Sequence, residues 1–459
     1  MHNLFLELFQ QDLIFLFKKE FMKKIIYSIF ITLSFISCDK YLDIEPVGQV
    51  IPKSVEEYRS FLTSVYSITK ESKVLTTYRT DELALSADAL GVEQYEDIFI
   101  WNDVNPSPLT SVFPYATLYN TIFYTNHVIN SEATIEGNQS DKEQLLGEAY
   151  ALRAMQYFEL VNLYAKPYNK STANTDAAVP ITTVYDSEKE YAVESVEEVY
   201  ALILSDLTKA ESLINIQKQE VGYNYRFSMI AVKAFKSRVY LYQQEWQKAM
   251  DFANEALAIN AEIQNLNVDT SIMPSEYNSV ESILALETVA SVDMVANTNI
   301  SKTLIDAYNQ TKDVRFSLYF KENTDGSFSS NKSAETKFKV SYRTAELHLT
   351  IAECLAALNE DVLAKEKLIS FAENRYTTDG FTAYKAIVNS LNNDELKAEI
   401  LEERRREFAI EGQRWNDLRR TTQPKLTKVF NGVTYTLESN DDRYVIPFPN
   451  DATINNPNL

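Results

Sequence analysis

From Glu402 to Arg420 the chain reads Glu-Glu-Arg-Arg-Arg-Glu-Phe-Ala-Ile-Glu-Gly-Gln-Arg-Trp-Asn-Asp-Leu-Arg-Arg, its densest run of groups able to do chemistry. Arg404, Glu407 and Glu411 stand at helical spacing, which puts them on one face. Arg414, Asp417 and Arg420 continue at intervals of three. Guanidinium forks meet carboxylates bidentately and can be buried when so paired. Such a pattern suits a catalytic carboxylate pair, a phosphate clamp, or an ion-pair network that docks a helix. The charges alternate in sign and no nucleophile accompanies them. Arg404, Glu407, Glu411, Arg414 and Asp417 are therefore assigned a structural role.

A second group is Tyr95-Glu-Asp-Ile-Phe-Ile-Trp-Asn-Asp103, which mixes rings with amides and acids. Sugar rings present C–H faces that stack on aromatics, and hydroxyls that pair with Asn, Asp and Arg. An apolar platform with a few oriented polar groups is the general form of a small-ligand site. Tyr95 and Trp101, with Asn102 and Asp103, are expected to line a capture site, with Trp101 as an exposed platform. Tyr78 and Arg79 are further candidates, Arg79 as a donor to hydroxyls or a carboxylate. The competing reading has one ring stapling the loop to the helices.

Other chemistry is thinly represented. Three His and two Cys cannot supply a four-ligand zinc site at tight spacing, nor a disulfide framework. No G-x-S-x-G, P-loop, H-E-x-x-H or EF-hand loop occurs. With 65 acidic residues, a carboxylate pair at glycosidase spacing arises by chance and discriminates nothing. Asp81, Glu82 and Asp97 could help bind a structural cation such as calcium, or be solvated; no cofactor is called for. A net charge of −21 argues against a nucleic-acid partner, which needs clustered positive charge. Cys354 lies in an apolar helical run and is expected in the core.

Cys38 differs. From Met22 the chain reads MKKIIYSIFITLSFISC: Lys23 and Lys24, an apolar stretch from Ile25 to Ile36, then Ser37-Cys38. That is a secretory signal, too short to span a bilayer. Its Cys ending resembles a bacterial lipoprotein signal, so Cys38 is the expected lipidation site and outer-membrane lipid the anchor. Residues 1–37 comprise an upstream extension plus signal peptide, and 38–53 a polar tether. Residues 54–459 are expected to form one domain.

The elements that must position these groups are mostly helical, as 9 Gly and 12 Pro suggest. Ser54-Val-Glu-Glu57 and Ser140-Asp-Lys-Glu143 are capping boxes. Helices are predicted over Tyr115–Ser131, Ser140–Tyr164, Ser195–Ile214 and 396–420. Residues 91–114 predict a long ordered loop, and 168–193 another. Residues 228–260 and 345–375 predict helical hairpins. Their small and aromatic residues (Ser237, Tyr240, Ala249, Ala253 and Ala256 in the first) fall where tetratricopeptide repeats place them. The 261–340 stretch is mixed. Val433–Leu437 and Tyr444–Phe448 read as short strands.

Taken together, these pieces resemble the SusD/RagB family of Bacteroidetes nutrient-uptake lipoproteins. The matching segments are Cys38-Asp-Lys-Tyr-Leu-Asp-Ile-Glu-Pro46, Arg153-Ala-Met-Gln-Tyr-Phe-Glu-Leu-Val-Asn-Leu-Tyr164 with Pro167, and Tyr342-Arg-Thr-Ala-Glu346. They continue with Glu403-Arg-Arg-Arg-Glu407, Glu411-Gly-Gln-Arg-Trp-Asn-Asp-Leu-Arg-Arg420 and Ile446-Pro447 through Asn456-Pro-Asn-Leu459. The resemblance implies a mostly α fold of tetratricopeptide-like helix pairs with a loop-rich ligand face. It implies a lipid-anchored protein at the outer-membrane surface that captures a glycan and closes over a SusC-like TonB-dependent channel. The alternatives are RagB-like capture of peptides, a lipid-anchored glycosidase, for which no catalytic constellation is present, and a tetratricopeptide adaptor.

Overall fold

The computed structural model describes residues 52–68, 71–184 and 191–459. The signal peptide, Cys38 and nearly all of the tether lie outside them. Residues Lys53–Leu459 cluster as one unit. Helices of eight or more residues are α1 (Val55–Tyr66), α2 (Ser72–Arg79), α3 (Ala116–Asn130), α4 (Gln139–Tyr164) and α5 (Val196–Leu213). They continue with α6 (Met229–Tyr242), α7 (Trp246–Leu257), α8 (Thr344–Ala357), α9 (Asp361–Ala372), α10 (Thr378–Ser390) and α11 (Asn393–Glu407).

Local chemistry sets the starts. Ser54 and Ser195 form reciprocal capping boxes with Glu57 and Glu198. For α4 the expected Ser140 box is replaced by Asn138. Its side chain accepts from the N–H groups of Ser140 and Asp141 at 2.9 and 3.3 Å. Of the 26 residues in α4, 19 are buried, so it is covered on nearly every side and serves as the central pillar. It packs on α3 and α5, and α5 in turn meets α6.

Both predicted hairpins form, as α6–α7 and α8–α9. Ala249, Ala253 and Ala256 are fully buried, and Ser237 Oγ donates to the Ala249 carbonyl at 2.8 Å. Side chains this small let the helices approach closely. Tyr240 stacks on Phe252 at 5.5 Å. Helix α8 also packs on α7 and α11.

Sheet is minor: five two-stranded antiparallel ladders among the described residues. One joins Ser282–Leu284 to Tyr342–Arg343. Leu426–Phe430 and Val433–Leu437 form a hairpin. Tyr444–Phe448 is not a strand, because Asp441 caps a short turn there and Ile446 N–H is taken by the Leu163 carbonyl.

The predicted 396–420 helix is two helices. Helix α11 stops at Glu407, and a second runs Arg414–Arg420. Between them Ile410 sits at φ 56° and Gly412 at φ 72°. A Cβ on Gly412 would lie 2.4 Å from Lys73 Cβ, so the close approach to α2 requires glycine. The Ile410 N–H is satisfied by Glu82 Oε1 at 3.1 Å.

The charged run is taken up in ion pairs here, with partners other than those its spacing suggests. Glu407 takes Arg315, Arg343 and Arg375 at 2.9, 2.6 and 2.9 Å. Glu411, in the turn, takes Lys332 and Arg343. Glu281 meets Arg343 and Arg375. All are buried. Arg404 pairs with Asp417 across the turn, not with Glu407, and Arg414 forks onto Asp81.

Truncating one member strands the others. Glu407→Ala leaves three buried guanidinium groups short of a counter-charge, and is expected to cost about 3–5 kcal/mol. Urea denaturation of the variant checks this against wild type.

Candidate ligand-binding cleft

The loop singled out for ligand capture is organised by internal contacts. Tyr78 and Tyr95 stack face to face at 4.7 Å and 6°, and Tyr95 Oη donates to Asp293 at 3.0 Å. Trp101 Nε1 donates to the Arg79 carbonyl at 3.0 Å. Arg79 forks onto Asp103 at 2.7 and 2.8 Å and lies over the Trp415 ring. Lys428 Nζ sits over both Phe99 and Trp101.

These residues do come together, as a staple. Trp101 is 1% exposed and packs with Trp415, Leu418, Leu437 and Tyr444. The exposed platform expected of it is absent, because its large apolar face gains more from this small core than from water. Tyr78 and Arg79 are wholly buried and Tyr95 nearly so. Only Asn102 and Asp103 keep part of their surface open. Trp101 also carries φ 59°, a strained backbone for a bulky residue that the surrounding contacts hold in place.

The acids considered for a cation are otherwise engaged. Asp97 accepts from Ser107 N–H, Thr110 Oγ1 and Asn102 Nδ2 at 2.6–2.7 Å, contacts that hold its carboxyl below the usual range against the opposing effect of burial. Asp81 is held by Arg414 and Arg405. Burial pushes the Glu82 carboxyl up to about 7, despite the Ile410 N–H it accepts.

A different feature has the form of a ligand site. A groove of about 440 Å³ is lined by Tyr66, Asn224, Tyr225, Tyr277, Leu286 and Lys339, among others. Tyr225 and Tyr277 are half-buried rings. Tyr225 is braced edge-on by Tyr66 at 5.6 Å, and Tyr277 by the Asn224 amide, which donates to its carbonyl at 2.6 Å. The groove shares Tyr66, Ser67, Leu286 and Lys339 with a narrow pocket of about 40 Å³ whose walls include Ser72, Gln156, Glu159 and Glu287. Burial, followed by the neighbouring Glu287 charge, raises the Glu159 carboxyl to about 7. A larger, strongly polar groove of about 640 Å³ runs between Tyr168, Trp246, Thr421 and Asp442.

None of the cleft residues was singled out from sequence. Tyr225 and Tyr277 lie in irregular segments 52 residues apart, with no shared period. Glu159 lies in a helix whose pattern reads as core. Its one legible signal was an acid on a face otherwise filled by Leu152, Met155 and Leu163.

Against known proteins, residues 40–241 match a family model described as starch-binding and associating with the outer membrane. Residues 235–459 match the SusD family model. A SusD-like protein of Formosa agariphila is 23% identical, over 92% of this chain and 95% of that one. A SusD superfamily structure from Bacteroides thetaiotaomicron superposes with a TM-score of 0.74 at 20% identity, covering 88% of this chain and 98% of the other. A laminarin-binding SusD-like protein gives 0.60 at 19%, covering 80% and 92%. The fold is therefore the mostly α, tetratricopeptide-like architecture expected. The chain belongs to the SusD/RagB family.

Because Trp101 is core, Trp101→Ala is expected to destabilise by about 3–5 kcal/mol, the usual cost of emptying a buried large-ring site. A thermal melt checks it: an unchanged melting temperature would return the ring to the surface.

Proposed function

We propose that this is a non-enzymatic, lipid-anchored surface protein that captures an oligosaccharide and passes it to a SusC-like TonB-dependent outer-membrane channel. The observation that carries the reading is the groove walled by Tyr225 and Tyr277. Two braced, half-exposed rings offer faces to sugar C–H surfaces, and the Thr63, Ser67 and Thr336 hydroxyls that line the groove with them suit sugar hydroxyls. Family membership and the laminarin-binding relative support a glycan, and the outer-membrane description of the matching family supports the location. A RagB-like peptide ligand is the alternative.

Titration calorimetry against plant, algal and microbial glycans tests this. Tyr277→Ala is expected to weaken the cognate glycan by about 1–3 kcal/mol, the burial energy of one ring, with little change in melting temperature. Binding of peptides with no response to any glycan would replace the reading with the alternative.

The anchor is tested separately. Cys38→Ala is expected to move the protein from the membrane to the soluble fraction, since the helices among the described residues are not long and apolar enough to span a bilayer. Wild type is expected to carry acyl mass on Cys38; a bare thiol there would overturn it.

A further inference from the structure

We propose that the inner end of the cleft binds a primary ammonium group, held by Glu159, Glu287, Gln156 and Ser72, while the rest of the ligand lies along Tyr225 and Tyr277. The proposal rests on the reading of this cleft as the ligand site.

The pocket holds oxygens without well-formed hydrogen bonds. These are Ser72 Oγ, Gln156 Oε1 and Glu287 Oε2, although Ser72 is 3% and Gln156 1% exposed. The Ser72 hydroxyl is near enough to Glu159 to ease its charge slightly, and Glu287 Oε2 has only an ion pair with Lys73 at 3.2 Å. Buried polar atoms are nearly always satisfied, so Gln156 Oε1, which has no partner at all, calls for a donor in the cavity that Glu159 and Glu287 also line. Gln156 is not free to turn its amide inward, because its Nε2 already donates to the Leu152 carbonyl at 3.0 Å. Apart from Lys339 at its mouth, the pocket lining is acceptor-rich, and the complement is a compact donor. An ammonium carries three donors and no acceptor.

Charge points the same way. Two cations act on Glu159, Lys73 and Arg238, and both are spent. Lys73 Nζ donates to the Val340 carbonyl at 2.8 Å besides its pairing with Glu287. Arg238 forks onto Glu346 with both contacts at 2.6 Å. Desolvation and the like charge of Glu287, with no dedicated counter-ion to offset them, account for the raised Glu159 carboxyl.

Size separates head from body. About 40 Å³ admits a group the size of one or two waters, but no ring. The body must stay in the 440 Å³ groove beyond, past Lys339 at the junction. A hard metal ion fits less well. Among the described residues no third acid, His or Cys joins the two carboxylates, and Lys73 already occupies one side of Glu287.

Such an amine could come from an amino sugar or from a lysine side chain, and paired ligands distinguish them. The full chain is titrated with glucosamine oligosaccharides and their N-acetylated forms, and with a lysine-containing peptide and its acetyl-lysine form. Acetylation is expected to weaken binding about 10- to 100-fold in at least one pair, the scale of a charge-assisted hydrogen bond. Glu159→Gln is expected to abolish that preference while melting no lower than wild type, since it deletes a carboxylate lacking a counter-ion. Ser72→Ala, which leaves all charges in place, is expected to weaken the amine form alone. The proposal falls if free and acetylated forms bind alike, if neither amine ligand binds, if the preference survives Glu159→Gln, or if calcium binds in a way that Glu159→Gln removes. Amine preference for the peptide alone would uphold the proposal and sink the glycan reading. Neutral glycans binding in a Tyr277-dependent way, with no amine preference, would do the reverse.

Discussion

The carboxylate of Glu407 is the point on which the C-terminal half converges. Arg315, Arg343 and Arg375 reach it from three separate segments, and none of the four side chains touches water. Each charge in such a site would be prohibitively costly alone, and becomes tolerable only when all partners arrive together. The network therefore acts as a register check more than a source of net stability. Helix α11, the Tyr342–Arg343 strand and the segments bearing Arg315 and Arg375 must all be in place before any one is comfortable. Glu281 and Glu411 extend the same condition to the neighbouring strand and to the turn after α11.

That constraint reaches the cleft. Glu281 and Arg343 lie at the ladder that joins Ser282–Leu284 to Tyr342–Arg343. The first strand runs directly on into Leu286 and Glu287, and the second is entered from Lys339. All three line the cleft or its inner pocket. The continuations are stitched by Val340 N–H to the Glu287 carbonyl and Ser341 N–H to the Leu284 carbonyl, at 3.0 and 2.7 Å. One wall of the groove is thus a direct extension of the buried ion lattice.

Legibility in the sequence tracks the range of the interactions involved. Ser54 and Ser195 caps, the α6–α7 hairpin and the small residues at its seam depend on neighbours a few positions away, and their pattern is visible in the string. The break after Glu407 was not visible, because it depends on Lys73 crowding Gly412 across more than 300 residues of chain. The charged run was legible as architecture, but its partners were not: Arg315, Arg343 and Arg375 come from segments with no local sign of burial. The aromatic loop misled for a related reason. Ring, amide and acid together describe both a sugar platform and a staple, and only the arrival of Trp415 and Lys428 beside Trp101 decides between them.

The two aromatic groups differ in how their polar partners are spent, and this decides which one can bind. Around Trp101 the indole N–H, the Arg79 fork and most of the Asp97 carboxylate are satisfied internally, so a ligand would have to break contacts before making any. Around the Tyr225 and Tyr277 groove the bracing comes from the Tyr66 ring against Tyr225 and from the Asn224 amide on the Tyr277 carbonyl, while Gln156 Oε1 at the inner end has no partner. A site of that kind has its shape before the ligand arrives, and the ligand's donors complete it, so less of the interaction energy goes into reorganisation. Under the proposed reading, preorganised rings with an unsatisfied acceptor behind them let a dilute ligand be taken up with little rearrangement of the site.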